Sequence, residues 1–225
     1  MHAFEEIHNR AAKRKGGMAK LNKLLPALPD REAVAALPEH RFLAEMTRCI
    51  FQAGFVWRVI EQKWPDFEDL FHGFNLDAIL GMQPDEWEEI RQDARIVRNN
   101  QKITAIRVNA QFIEDISLES GSFARVIADW PESDLVGLFS LLKRRGSRLG
   151  GNTGQRFLRN VGKDTFVLTT DVVACLRNSG LEISSYPTTK SDLEGVQELF
   201  NQWHEETGLP YTHLSRIAAY SIDSD

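Results

Sequence analysis

GSRLGGNTGQRFLRNVGKDTFVLTTDVVAC, residues 146–175, is the stretch on which the reading of this chain turns. It opens on a glycine-rich turn, Leu149-Gly150-Gly151-Asn152-Thr153-Gly154. Glycine tolerates positive φ and lets the backbone come close to another molecule. Phe157, Leu158 and Val161 are then spaced to bury one face of a helix, which stops at Gly162. A short β-branched link, Phe166 to Thr170, leads to Asp171, where a second helix is expected to begin and run from Val172 to Arg177. From Lys143 to Lys163 there are seven Lys or Arg and no Asp or Glu, in a chain of net charge −5. Free backbone N–H groups at a helix start, inside a basic run, suit a phosphate.

Away from this stretch the periodicity is helical nearly throughout. A short helix is expected from Asp30 to before Pro38, and a longer one from about His40 to Gln62. The longer one carries Phe42, Met46, Ile50, Ala53, Trp57 and Ile60 at spacings of three and four. Trp64-Pro65 is expected to break it. Short helices are expected near 66–71, 75–81 and from Pro84, with longer ones over 99–114, 119–128, 133–145, 190–207 and 210–221. Strand signals are nearly absent and there is no internal repeat. The expected fold is all-α. Residues 1–24, basic through Arg10, Lys13, Arg14, Lys15, Lys20 and Lys23, read as a solvated or partly ordered arm, or as a phosphate-contacting flank.

The chain of 225 residues can bury a substantial core. Its 42% hydrophobic and 26% charged residues are those of an ordinary soluble protein. No apolar run approaches the roughly 20 residues of a membrane span, and the N-terminus lacks the apolar core of a secretory signal. Cys49 and Cys175 are the two cysteines, so a disulfide framework and a cysteine-rich zinc site are not expected, and an intracellular protein is. His2, His8, His204 and His213 form no credible ligand set; neither metal nor cofactor is expected. Overall acidity leaves nucleic acid open, because a local patch decides that contact.

The 146–175 run resembles the helix-hairpin-helix and following loop of the helix-hairpin-helix DNA glycosylases. There a glycine-rich hairpin grips the DNA backbone and an Asp about 20 residues on serves the chemistry, which here are Gly150, Gly151 and Gly154 with Asp171. Asn152 and Thr153 stand where bifunctional members carry a nucleophilic Lys, so the resemblance implies a monofunctional enzyme. Cys49 to Trp57 and Asp93 to Ala110 resemble the DNA-3-methyladenine glycosylase I family, through Gln52-Ala53-Gly54 with Trp57, Asp93-Ala94, Ile96, Arg98, Lys102-Ile103, Ala105-Ile106 and Asn109-Ala110. The likeness covers about residues 40–180. It implies a two-lobed helical fold with a cleft between the lobes and a base-excision repair enzyme that cleaves the N-glycosidic bond of alkylated purines such as 3-methyladenine. The partner would be double-stranded DNA holding a damaged base, met by a monomer in the cytoplasm or nucleoid. Residues 1–38 and 185–225 would form a terminal lobe and 39–184 a central lobe, with the hairpin at 146–163.

The chain also departs from that family. Its base-reading Glu is Cys49 here, with Glu45 one turn earlier as a substitute or as a plain solvent-facing carboxylate. The N-terminal Tyr-His-Asp-x-x-Trp-Gly motif and the zinc set are missing, and Asp171 belongs to the wider superfamily's pattern.

Expelling a base puts positive charge on the sugar, which a nearby carboxylate stabilises while it orients water. Asp171 is the catalytic candidate, with a helix N-cap as its alternative role. Trp57 offers an aromatic face to a cationic base, or else packs in the core. Gln52, Glu45 and Cys49 complete the expected base pocket. Gly150, Gly151, Asn152, Thr153, Gly154, Arg145, Arg148, Arg156 and Lys163 are expected on the DNA backbone. The rival reading is a non-catalytic module that binds damaged or bent duplex.

Overall fold

The computed structural model describes residues 4–223, and among them every regular element is a helix. In chain order the α-helices are α1 (Phe4–Arg14), α2 (Met18–Leu24), α3 (Arg31–Ala36), α4 (Glu39–Gln52), α5 (Trp57–Leu70), α6 (Leu76–Gly81) and α7 (Pro84–Gln92). There follow α8 (Asn100–Ser120), α9 (Phe123–Asp129), α10 (Leu135–Arg145), α11 (Asn152–Asn160), α12 (Thr170–Asn178), α13 (Lys190–Thr207) and α14 (Tyr211–Tyr220). No helix among the described residues is long and apolar enough to cross a membrane.

The chain forms two compact units. One comprises residues 1–30, 130–138 and 162–225; the other comprises 31–129 and 139–161. In the first, Phe4 of α1 meets Trp203 of α13 at 5.0 Å between ring centroids, and Phe166 stacks on Phe200 at 4.6 Å. The basic N-terminal segment is therefore no solvated arm over its described part. Phe4, Ile7, Ala11 and Leu21 are fully buried, which fixes α1 and α2 while their charges stay outside. His2 lies outside the described residues.

Residues 162–184, grouped with the central lobe on sequence, cluster instead with the terminal helices. The β-branched link forms no strand. Its backbone is satisfied by α14, where Thr165 N donates to Thr212 Oγ1 at 3.2 Å and Val167 N to Ser215 Oγ at 3.1 Å. Asp164 in turn accepts from Tyr211 N and Thr212 N and so closes the start of α14.

In the second unit Phe42 of α4 packs edge-on against Phe123 of α9 and Phe157 of α11. Trp64 stacks between Phe67 and Phe74, both at 5.4 Å. The single helix expected over 40–62 is in fact two. Gly54 at φ 74 turns the chain between α4 and α5, a conformation few other residues take without strain. Conversely, α5 runs straight through Trp64-Pro65. Pro65 withholds one N–H from the ladder, and the burial of Trp64 and Phe67 on either side outweighs that loss.

Candidate active site

Three elements of the second unit enclose a cavity of about 450 Å³: the end of α4, the turn to α5, and the start of α11. Its walls are Cys49, Gln52, the chain from Ala53 to Trp57, and Asn152, Thr153 and Arg156. Residues expected on the base and residues expected on the phosphate thus share one chamber.

Trp57 is 49% exposed, so it is not core. With Phe55 and Val56 it forms three consecutive exposed apolar residues at the cavity rim. Arg156 holds its guanidinium over the Trp57 ring at 5.0 Å. The turn itself is fastened from below by Lys102, 6% exposed, whose ammonium donates to Phe51 O at 3.2 Å and Ala53 O at 2.7 Å. Burial, aided by the nearby Arg148 charge, lowers the Lys102 pKa from its ordinary value. Lys102 was legible only as a family match; its role as a C-terminal clamp on α4 depends on a contact 51 residues away.

Gln52 lies behind the turn with its Nε2 donating to Glu61 Oε1 at 2.8 Å. Cys49 is buried and its thiol donates to Glu45 Oε1 at 3.4 Å. Desolvation first, and then the Glu45 charge, push its pKa well up, so it remains a thiol. Glu45 is neither solvent-facing nor on the cavity wall. It accepts from Asn160 Nδ2 at 2.7 Å, and its side chain is 18% exposed.

Of Gly150, Gly151 and Gly154, Gly151 takes a positive φ and the other two do not. Gly151, at φ 57, precedes the first turn of α11. A Cβ on Gly154 would stand 2.2 Å from the Leu149 carbonyl oxygen, so only glycine fits. Asn109 fixes the approach to the turn by accepting from Ser147 N at 2.7 Å and donating to Ser147 O at 3.1 Å. The first N–H groups of α11 have no intrahelical acceptor and carry the positive end of the helix dipole.

The flanking cations divide. Arg148 contacts Gln101, and Arg145 forms a fork with Glu119 at 2.6 and 2.8 Å. Lys163 is 3% exposed, with its ammonium on the Trp130 carbonyl and on Glu132 Oε1 at 2.6 Å. It is a clamp inside the terminal unit and has no reach to a phosphate, which corrects its expected place on DNA. Asp171 stands in the first turn of α12, but Thr169 is the cap and accepts from Val172 N at 3.3 Å. Among the described residues no group of three or more His, Cys, Asp or Glu is arranged to hold a metal.

Comparison with known proteins points the same way. The methyladenine glycosylase family model matches residues 34–136. DNA-3-methyladenine glycosylase 1 of Escherichia coli (strain K12) is 37% identical over 60 residues, covering 27% of this chain and 32% of its own. The chain thus spans about a third of that relative. The 3-methyladenine DNA glycosylase I of Staphylococcus aureus superposes with a TM-score of 0.51 at 20% identity, over 81% of this chain and 98% of that one. The Methanocaldococcus jannaschii 8-oxoguanine glycosylase/lyase, solved with DNA, gives 0.56 at 14% identity over 96% of each. The resemblance to methyladenine glycosylases is therefore found in sequence, and the fold is that of the helix-hairpin-helix glycosylases.

Proposed function

We propose that this chain is a monofunctional DNA glycosylase that hydrolyses the N-glycosidic bond of alkylated purines in base-excision repair. The observation that carries the reading is the shared chamber, in which Gln52, Cys49 and Trp57 line one side and Asn152, Thr153 and Arg156 the other. A flipped nucleotide has the same two ends, a flat base and a phosphate. The base lies against Trp57, and the α11 N-terminus with Arg156 takes the backbone.

An N3- or N7-alkylated purine already bears positive charge and leaves readily, so little acid catalysis is required. What the protein supplies is a carboxylate against the positive charge that grows on the sugar, and that carboxylate is Asp171. Water completes the reaction on the anomeric carbon. The Asn152-Thr153 pair offers no amine for a Schiff base.

The test is base release from methylated duplex DNA by wild type and Asp171→Asn. The expected outcome is release by wild type and a loss on the order of 10²-fold or more in the variant, as for other removed electrostatic catalysts. Equal release by both discards Asp171 and keeps the enzyme. Cys49 in place of a base-reading carboxylate favours a second reading, a non-catalytic module for damaged or bent DNA. That reading gains if wild type binds duplex in a salt-sensitive way and releases no base.

A further inference from the structure

We propose that a second cavity of the same unit, between α7 and α8, binds a small free oxoanion of the size of phosphate. The cavity has a volume of about 210 Å³. It is walled by Pro84, Trp87 and Arg91 of α7 and by Thr104 and Arg107 of α8. Spacings of three and four put these residues on one face of each helix. Trp87 is 3% exposed, and its indole Nε1 is shut from solvent with no hydrogen-bond partner among the described residues. A buried donor is costly to leave unmet, and an acceptor held against Trp87 removes that cost.

The other walls carry charge to spare. Arg107 is exposed and makes no ion pair among the described residues. Arg91 Nη1 donates to Glu88 Oε2 at 3.2 Å, which leaves the rest of its guanidinium for a second partner. Indole and guanidinium groups only donate, the Thr104 hydroxyl can donate too, and no Asp or Glu belongs to the walls. The complement of such a lining is a negative group with several acceptor oxygens. Pockets for larger ligands span roughly 300–1,000 Å³, so this one takes the oxoanion without a nucleoside attached.

The rest of α7 separates a free anion from the backbone of a nucleic acid. Asp85, Glu86, Glu88 and Glu89 stand exposed on it, beside the cavity. A polyanion laid along the helix meets those carboxylates, whereas a single phosphate meets the donors. The buried residues of α7 are Trp87 and Ile90, so an anion held jointly with α8 ties down a lightly anchored helix.

The experiment titrates potassium phosphate into the isotope-labelled full chain and follows the indole N–H resonances, with potassium chloride at equal ionic strength as control. The Trp87 resonance is the one missing from Trp87→Phe. The expected result is a saturable shift of that resonance in phosphate and none in chloride. Arg107→Gln, a surface change, is expected to lower phosphate affinity at least about fivefold in calorimetry, and folded Trp87→Phe to do the same. Lesion-free duplex DNA is titrated in parallel. A saturable response to phosphate, weakened in Arg107→Gln, sustains the proposal whether or not duplex also moves the resonance. An unmoved Trp87 resonance, an equal response to chloride, or unchanged affinity in Arg107→Gln overturns it. So does a response to duplex without one to phosphate, which makes the cavity a DNA contact.

Discussion

Arg156 and Lys163 belong to one basic run, seven residues apart, yet one lies open over Trp57 and the other is sealed inside the fold. The difference can be measured. Each phosphate neutralised contributes a slope of about −0.9 to log K against log salt. Arg156→Gln is therefore expected to flatten the salt dependence of duplex binding by about that amount, and Lys163→Met to leave it unchanged. Lys163→Met should instead lower stability by about 1–3 kcal/mol in urea unfolding, because the Trp130 carbonyl loses its donor. An unaltered midpoint would refute the clamp. The run of charge was plain in the sequence. What divided it was not, because the partners of Lys163 lie 31 and 33 residues upstream. Glu45 and Cys49 illustrate the same limit: the helical spacing put them together, and only Asn160, 115 residues on, draws the carboxylate away from the cavity.

At the scale of elements, the cavity exists because α4 ends at Gln52 and the chain turns at Gly54. The apolar stripe of 40–62 continues across that turn, so periodicity alone joined the two helices. Pro65 misled in the other direction, because a helix tolerates one missing donor when aromatic packing holds both flanks. Lys102 is what keeps the α4 end in place. Lys102→Met is expected to destabilise the unit by about 2 kcal/mol, since two carbonyls lose their donor. It should also weaken binding to lesion-bearing DNA more than to undamaged duplex, as the turn loosens; equal loss on both would argue against the clamp.

A second tie between elements is sensitive to acid. Arg41 of α4 forks onto Glu68 of α5 at 3.0 and 2.9 Å and also reaches Gly73 O at 2.9 Å. Burial of Glu68 works against its charge, but Arg41 and the Trp64 N–H outweigh it and hold its pKa below the ordinary 4.5. A carboxyl depressed on folding stabilises above its unfolded pKa, and that gain is lost as pH falls through the folded value. Stability should therefore decline below about pH 4.5, and Glu68→Gln should flatten that part of the profile in thermal unfolding. An identical acid limb in the variant would rule the pair out as its source.

For the molecule as a whole, the fold class was legible from period alone: apolar residues recur at three and four, and extended segments are rare. Membership of each unit was not. Residues 162–184 follow the hairpin directly, and nothing local says that Thr165 and Val167 will satisfy their backbone on α14. Likewise the segment 130–138 joins the terminal unit through Gln197, which donates to Glu132 O and accepts from Val136 N. Such contacts, spanning 61 to 65 residues, have no signature in a window of sequence.

The interleaving of the two units also sets an order of assembly during synthesis. Once residue 161 has emerged from the ribosome, the unit that holds the cavity has every segment it needs. The other cannot close until α14 follows, because α1 must wait for α13 and α14 to bury Phe4 and its neighbours. The newborn chain thus acquires its pocket early and its Asp171 unit late. For the whole interval between, α1 has α2 beside it and the face that α13 and α14 will cover still open, which makes it the segment a chaperone would hold.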